Sequence, residues 1–126
     1  MIRVQRSHDL VQFDTPVGNR TAPLASPATG AADVLAIRQH QAPGGSTPLH
    51  RKSTEALIVV LDGAIAVGTP DESTDLAPGD SAIVAAGDLH QIRTTGSTPA
   101  DWIVVTPGGV RFSGEDGTPI EPAWAT

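Results

Sequence analysis

The chain has 126 residues, of which 39% are apolar and 17% charged, and this is the size and balance of one globular domain with a buried core. Its formal net charge of −6 removes the general attraction to phosphate backbones and anionic lipids, so we expect neither nucleic acid nor a membrane as partner. The absence of cysteine excludes disulfides and thiolate metal sites. The first ten residues lack the apolar segment of a signal peptide, and we expect a cytoplasmic protein.

Thirteen glycines and eleven prolines disfavour long helices. Short apolar stretches recur between Gly- and Pro-rich turns, which is typical of an all-β sandwich or barrel. Weaker strands are expected over 3–5, 9–13 and 110–112. The main predicted strands cover 33–41, 56–61, 64–68, 81–85, 90–95 and 101–106.

The chain order predicts a single domain over 1–126. Residues 1–32 form an N-terminal arm, with a Pro-, Ala- and Gly-rich loop over 15–32 that could serve as a lid. The barrel covers 33–112 and the tail covers 113–126. Asp62 and Gly63, between two apolar runs, predict a tight hairpin.

Two segments each deliver one histidine between glycines: GGSTPLHRKSTEALIVVLDG (44–63) and GDSAIVAAGDLHQIRT (79–94). This pair resembles the two sequence motifs of the cupin family. Gly44 precedes His50 at the first motif's spacing, and Gly79, Gly87 and His90 match the second, with Ala85 in place of its proline. The resemblance implies a jelly-roll barrel.

In cupins the first motif supplies two His and one Glu to a metal, and the second motif supplies one His. The resemblance keeps His50 and His90, but Lys52 stands where the family has its second His. Glu55 lies one residue before the position of the family's Glu, so it reaches the pocket only if a bulge re-aims it. A weak metal site of His50, His90 and Glu55, holding Zn, Ni or Fe, remains one alternative. No metal is the other.

Lys52 is the only lysine, beside seven arginines. An ammonium there would repel a dication about 4 Å away by roughly 8 kcal/mol at an effective dielectric near 20. Burial and neighbouring charge can lower a lysine pKa, whereas an arginine stays protonated. We therefore predict His50, Lys52 and His90 as catalytic residues in a shared pocket.

Further candidates would bind substrate. Arg38 and His40 alternate on one strand and would recognise a carboxylate or enolate if that face points inward, or form a dimer contact or solvated face if it points outward. The apolar candidates are Ile58, Val60, Ile92 and Trp102.

The leading interpretation is a cupin enzyme that performs acid–base isomerisation, cyclisation, elimination or epimerisation on a small molecule. The alternatives are a metal-dependent enzyme such as a dioxygenase, and a non-catalytic metabolite- or sugar-binding barrel. The resemblance also implies a homodimer, with the N-terminal segment supplying a swapped strand.

Overall fold

The computed structural model describes residues 1–15 and 18–126, and within them strands dominate. This confirms the all-β prediction. The helices of these two ranges are three 3₁₀ turns of three residues each (Ser7–Asp9, Pro27–Thr29 and Ala123–Ala125), so none is long or apolar enough to cross a membrane. The strands are β1 (Phe13–Thr15), β2 (Asn19–Ala25), β3 (Val34–Gln41), β4 (His50–Lys52), β5 (Ala56–Asp62), β6 (Ile65–Gly68), β7 (Ser73–Leu76), β8 (Ser81–Val84), β9 (Gln91–Thr94), β10 (Ala100–Pro107), β11 (Phe112–Gly114) and β12 (Pro119–Ile120).

The strands form one large antiparallel sheet and two small ones. The large sheet has the order β1-β2-β3-β10-β5-β8, and the small sheets have the orders β12-β11-β4 and β7-β6-β9. Because one face of the large sheet packs against other elements, its central strands alternate between buried and outward residues. The interior is filled by Ile37, Ala56, Ile58, Val60, Ile65, Ile92, Ala100, Trp102 and Val104.

The six main strands predicted from apolar runs are all present, with ends shifted by one residue or so. The weaker strand predictions were confirmed only in part. Residues 3–5 carry no strand, the stretch 9–13 contributes only Phe13 to β1, and the expected strand at 110–112 begins at Phe112.

The predicted loop over 15–32 is wrong for Asn19–Ala25, which form β2, and Pro16 and Val17 lie outside the described residues. β2 pairs with β3 inside the large sheet, from Asn19 opposite Gln41 to Ala25 opposite Ala36. Its first inward residues are the polar Asn19 and Thr21, both buried. A strand with polar side chains inside lacks the apolar alternation that reveals strands in a sequence. The lid function proposed for this segment does not suit a paired strand.

The Asp62-Gly63 hairpin is also wrong, because β5 and β6 belong to different sheets. Gly63 has φ +74°, and a Cβ there would collide with the Pro99 carbonyl oxygen and with Ala100. The glycine therefore serves a crossing between sheets with close backbone approach, and not a two-residue hairpin turn.

Candidate functional site

Strand pairing places four side chains on one face around β4. His50 and Lys52 are two residues apart on the strand, so they point to the same side. His50 lies opposite His90 in an isolated antiparallel bridge, and Phe112 of β11 lies opposite Lys52. Directly opposed residues of antiparallel strands present their side chains on the same face. The ring centroids of the two histidines are consequently only 4.3 Å apart.

The side-chain nitrogen of Lys52 lies between the two imidazoles. Lys52 Nζ is 3.1 Å from His50 Nε2 and 3.3 Å from His90 Nε2. Lys52 and His90 are buried, at 6% and 3% exposure, and His50 is partly buried. The structure thus brings together the three residues that the sequence predicted as one cluster.

Backbone carbonyls fix the tautomer of both rings. His50 Nδ1 lies 2.8 Å from the carbonyl oxygen of Pro48, and His90 Nδ1 lies 2.9 Å from that of Asp88. A carbonyl oxygen only accepts, so each Nδ1 carries the proton and donates it. Each neutral ring is left with a lone pair on Nε2. Both lone pairs face Lys52, which donates one N–H to each.

Burial shifts all three groups toward their neutral forms. It lowers the pKa of Lys52 from 10.5 to about 8. The pKa of His50 falls from 6.5 to about 3, mainly through burial and then through the positive charge of Lys52 and of His90. The pKa of His90 is lowered by burial and by Lys52 as well. Two charged imidazoles beside an ammonium would be unfavourable, so both rings are held toward their neutral forms.

The cavity beside Lys52 is narrow and mostly apolar. Its volume is about 10 Å³, which is room for about one water molecule. Trp124 of the C-terminal turn closes one side and packs edge-on against Phe112, with ring centroids 5.4 Å apart. The other lining residues were not among those predicted for the pocket, although strand alternation could have indicated the ones on β3 and β10. They are Leu35, Ile37, Val104, Thr106, Phe112 and Trp124.

The metal site that the cupin resemblance implies does not fit these residues. The two Nε2 lone pairs that would bind a metal converge on the Lys52 nitrogen. The Glu55 side chain is exposed and does not join the two histidines, and this corrects its prediction as a metal ligand. Across residues 1–15 and 18–126, no three His, Cys, Asp or Glu side chains form a group that could hold a metal ion. Two imidazoles without a third protein ligand fall short of a typical divalent site.

The side chains of Arg38 and His40 point outward, which is the second of the two orientations considered from the sequence. Ile37, Gln39 and Gln41 of β3 are buried, so the residues that alternate with them face solvent. The His40 Nδ1 lies 3.1 Å from Asp101 Oδ1, and Arg38 Nη2 lies 3.8 Å from the same oxygen. The pair lines a surface groove of about 290 Å³ on the outer side of the large sheet. This corrects their inclusion among the residues of the barrel pocket.

The four apolar candidates lie in the packed interior. Their exposure is 2% or less, and they contact one another in the main core cluster; they are Ile58, Val60, Ile92 and Trp102. None of them is among the residues that line the cavity beside Lys52. Their position in the core accounts for their burial, and contact with a substrate remains a prediction.

The antiparallel sheets define an all-β class of protein. A comparison with protein families agrees with this: the sequence model of the family described as Cupin domain matches residues 37–106. The chain belongs to the cupin family. A search of curated proteins finds no match.

Solved structures share the fold. The polyketide cyclase RemF from Streptomyces resistomycificus is 23% identical, with a TM-score of 0.74 over 85% of this chain and 80% of that one. An RmlC-like cupin from Shewanella frigidimarina is 16% identical, with a TM-score of 0.72 over 85% and 91% of the two chains. A cupin sugar phosphate isomerase from Silicibacter pomeroyi is 20% identical, with a TM-score of 0.65 over 92% and 93%. At these identities the likeness establishes the fold.

Proposed function

We propose that this cupin is a metal-independent acid–base enzyme that isomerises, cyclises, eliminates from or epimerises a small organic molecule. The observation that carries the proposal is the position of Lys52 Nζ, 3.1 Å and 3.3 Å from the Nε2 atoms of His50 and His90. A buried group shared by two fixed acceptors is held in a defined orientation, as proton transfer requires.

Lys52 is the proton carrier in this proposal. A general acid or base works best when its pKa lies near the operating pH, and the pKa of Lys52 at about 8 satisfies this condition better than that of His50 at about 3. The imidazoles orient the nitrogen and accept hydrogen bonds from it. As an ammonium, Lys52 would also stabilise an oxyanion that develops on the substrate.

Substrate entry requires movement of the C-terminal turn. The present cavity of about 10 Å³ is too small for an organic molecule, and Trp124 is one of its walls. That turn is joined to the neighbouring 3₁₀ turn by a backbone hydrogen bond of 3.3 Å from Ala28 N to the Thr126 oxygen. Displacing Trp124 would open the space above Phe112 and Lys52.

Two structural neighbours support the class of reaction. One carries the name polyketide cyclase and another the name sugar phosphate isomerase. Cyclisation and isomerisation both depend on moving protons. The metal-dependent alternative has weaker support, because the described residues offer His50 and His90 without a third ligand.

The proposal is tested by proton exchange in D₂O. Protein treated with a chelator is incubated with a panel of small keto acids, hydroxy acids and sugar phosphates, and deuterium incorporation is followed by NMR. We expect the wild type to exchange a C–H of at least one compound, and Lys52→Met to lose about 100-fold or more of that rate. Arg93→Met, on an exposed position of β9, is the matched control and should retain the wild-type rate.

Three results would overturn the proposal. The first is wild-type protein that exchanges no compound of the panel; saturable binding in that case would indicate the non-catalytic barrel. The second is Lys52→Met with the wild-type rate. The third is activity that appears only when a divalent metal is added back.

A further inference from the structure

We propose that Lys52 is also a nucleophile, and that the substrate class is an aldehyde or ketone whose carbonyl carbon forms an imine with Lys52 Nζ. This inference rests on the proposed function, since it uses the same site, and it deepens it by naming the reacting group of the substrate.

The two hydrogen bonds that Lys52 donates determine where the lone pair of its neutral amine points. Both rings carry their proton on Nδ1, so each Nε2 accepts one N–H from Lys52. A neutral amine has two N–H groups and one lone pair, arranged tetrahedrally. With both N–H groups directed to the imidazoles, the lone pair points away from them.

Lys52 also lines the cavity beside the cluster, together with apolar side chains from β3, β10 and the C-terminal turn. Its nitrogen lies 6.0 Å from the centroid of the Phe112 ring. An apolar wall favours the uncharged amine over the ammonium, as the pKa of about 8 reflects. A carbonyl compound that enters past Trp124 would therefore reach the Lys52 side chain in this cavity.

The chemistry balances without any further reactant. The lone pair forms the C–N bond while the carbonyl π electrons move to oxygen, and one N–H proton passes through an imidazole Nε2 to that oxygen, giving a carbinolamine. Loss of the hydroxyl group together with the second N–H proton releases one water and leaves a C=N bond. Nothing is oxidised or reduced. The imine, once protonated, acidifies the adjacent C–H and prepares it for proton transfer.

The sequence makes the test unusually clear, because the chain has only two amines. Lys52 is the one lysine, and the other amine is that of Met1, which is fully exposed. The exposed Met1 amine is therefore an internal control for the reactivity of the reagent.

The experiment is reductive trapping with acetaldehyde and cyanoborohydride at pH 7.5, read by peptide mass mapping. We expect N-ethylation of Lys52 to be at least about tenfold faster than that of Met1, because the two imidazoles hold the Lys52 amine in one orientation and accept its protons. Burial alone predicts the reverse, since the Met1 amine is exposed. Trp124→Ala, which widens the entrance, should raise the Lys52 rate further. Unfolding in urea should reverse the preference, since the lysine pKa then returns to about 10.4.

Labelling of Met1 alone in the folded protein and in Trp124→Ala would overturn the inference, as would a preference for Lys52 that survives unfolding. These outcomes are separable from failure of the proposed function. Deuterium exchange without reductive trapping of Lys52 would support the acid–base enzyme and contradict the imine. Trapping without exchange would show a reactive amine and contradict the acid–base enzyme.

Discussion

Lys52 stands where the family has a metal-binding histidine, and its nitrogen lies where the two remaining imidazoles converge. Both imidazoles are fixed by backbone carbonyls with their Nε2 lone pairs facing one point, which is how histidines are oriented around metals. At that point lies Nζ of Lys52. One covalently attached cation therefore fills the position that a diffusible cation would need.

Replacing Lys52 by histidine should therefore create a metal site. The Lys52→His variant presents three imidazoles on one face, which is sufficient for Zn²⁺ or Ni²⁺ with a water in the open position. We expect the variant to bind about one equivalent of metal, measured by titration calorimetry and elemental analysis. Lys52→Met, which removes the cation but adds no ligand, is the control and should bind far more weakly. Equal binding by the wild type would contradict the account.

A second prediction concerns acid stability. The pKa of His50 is about 3 in the folded protein and 6.5 by its ordinary value. Between these values the unfolded chain binds the proton and the folded one does not, so the free energy of unfolding falls as pH drops from 6.5 toward 3. His50→Gln should reduce the slope of unfolding free energy against pH in this window by up to about 1.4 kcal/mol per pH unit.

Urea denaturation between pH 4 and 7 measures that slope. His8→Gln is the control, because the His8 side chain is 77% exposed and its substitution should leave the slope unchanged. Equal slopes for His50→Gln and the wild type would show that His50 is not held in its neutral form.

At the scale of single residues, the sequence predicted that His50, Lys52 and His90 lie together, but it did not predict the backbone contacts that orient the two rings. The spacing of His50 and Lys52 on a strand placed both on one side, and the resemblance brought His90 to them. The carbonyls of Pro48 and Asp88 that set the tautomers depend on loop backbone, which side-chain patterns do not reveal. The sequence left open whether a bulge turns Glu55 toward the pocket. In the structure its side chain is exposed to solvent.

At the scale of elements, the interior has a second, polar part. Gln41 is fully buried, and its amide nitrogen donates to Asn19 Oδ1 at 2.7 Å while its oxygen accepts from Thr94 Oγ1 at 2.7 Å. Thr21 donates to Gln39 Oε1 at 2.7 Å in the same network. These hydrogen bonds tie β2, β3 and β9 together. Because β2 is held by polar groups, the sequence pattern did not predict it.

We expect Gln41→Leu to lower the free energy of unfolding by about 2–4 kcal/mol. The substitution leaves the Thr94 hydroxyl without its acceptor and Asn19 Oδ1 without that donor, while both residues stay buried. Urea denaturation measures the change. Gln5→Leu is the matched control, because its hydrogen bond to the Leu24 oxygen is exposed, and it should cost less than about 1 kcal/mol. Similar losses for both variants would contradict a structural role for the network.

At the scale of the whole molecule, one row of residues on the outer face of the large sheet is apolar. Leu57 of β5 lies between Val105 of β10 and Ile83 of β8 in one row. Leu57 is 38% and Ile83 is 70% exposed. β8 is an edge strand of the large sheet. An exposed apolar row that ends at an edge strand is a suitable surface for pairing two copies of the chain.

The homodimer expected from the sequence, with a swapped N-terminal strand, remains a prediction, and the apolar row is a second surface through which two copies could pair. Light scattering coupled to gel filtration should give a dimer for the wild type, and Ile83→Asp should shift the protein to a monomer because a charge in the row opposes burial. Asp75→Asn, on an exposed position of β7 in another sheet, should remain dimeric. A monomeric wild type, or a dimeric Ile83→Asp variant, would contradict this surface.

The most direct test of the whole account is nitrogen-15 NMR of the histidine rings and the lysine side chain. At pH 7 we expect both His50 and His90 to be neutral with the proton on Nδ1, and we expect Lys52 Nζ to titrate near pH 8. Histidine rings protonated on Nε2, or a Lys52 nitrogen that titrates at its ordinary value of 10.5, would contradict it.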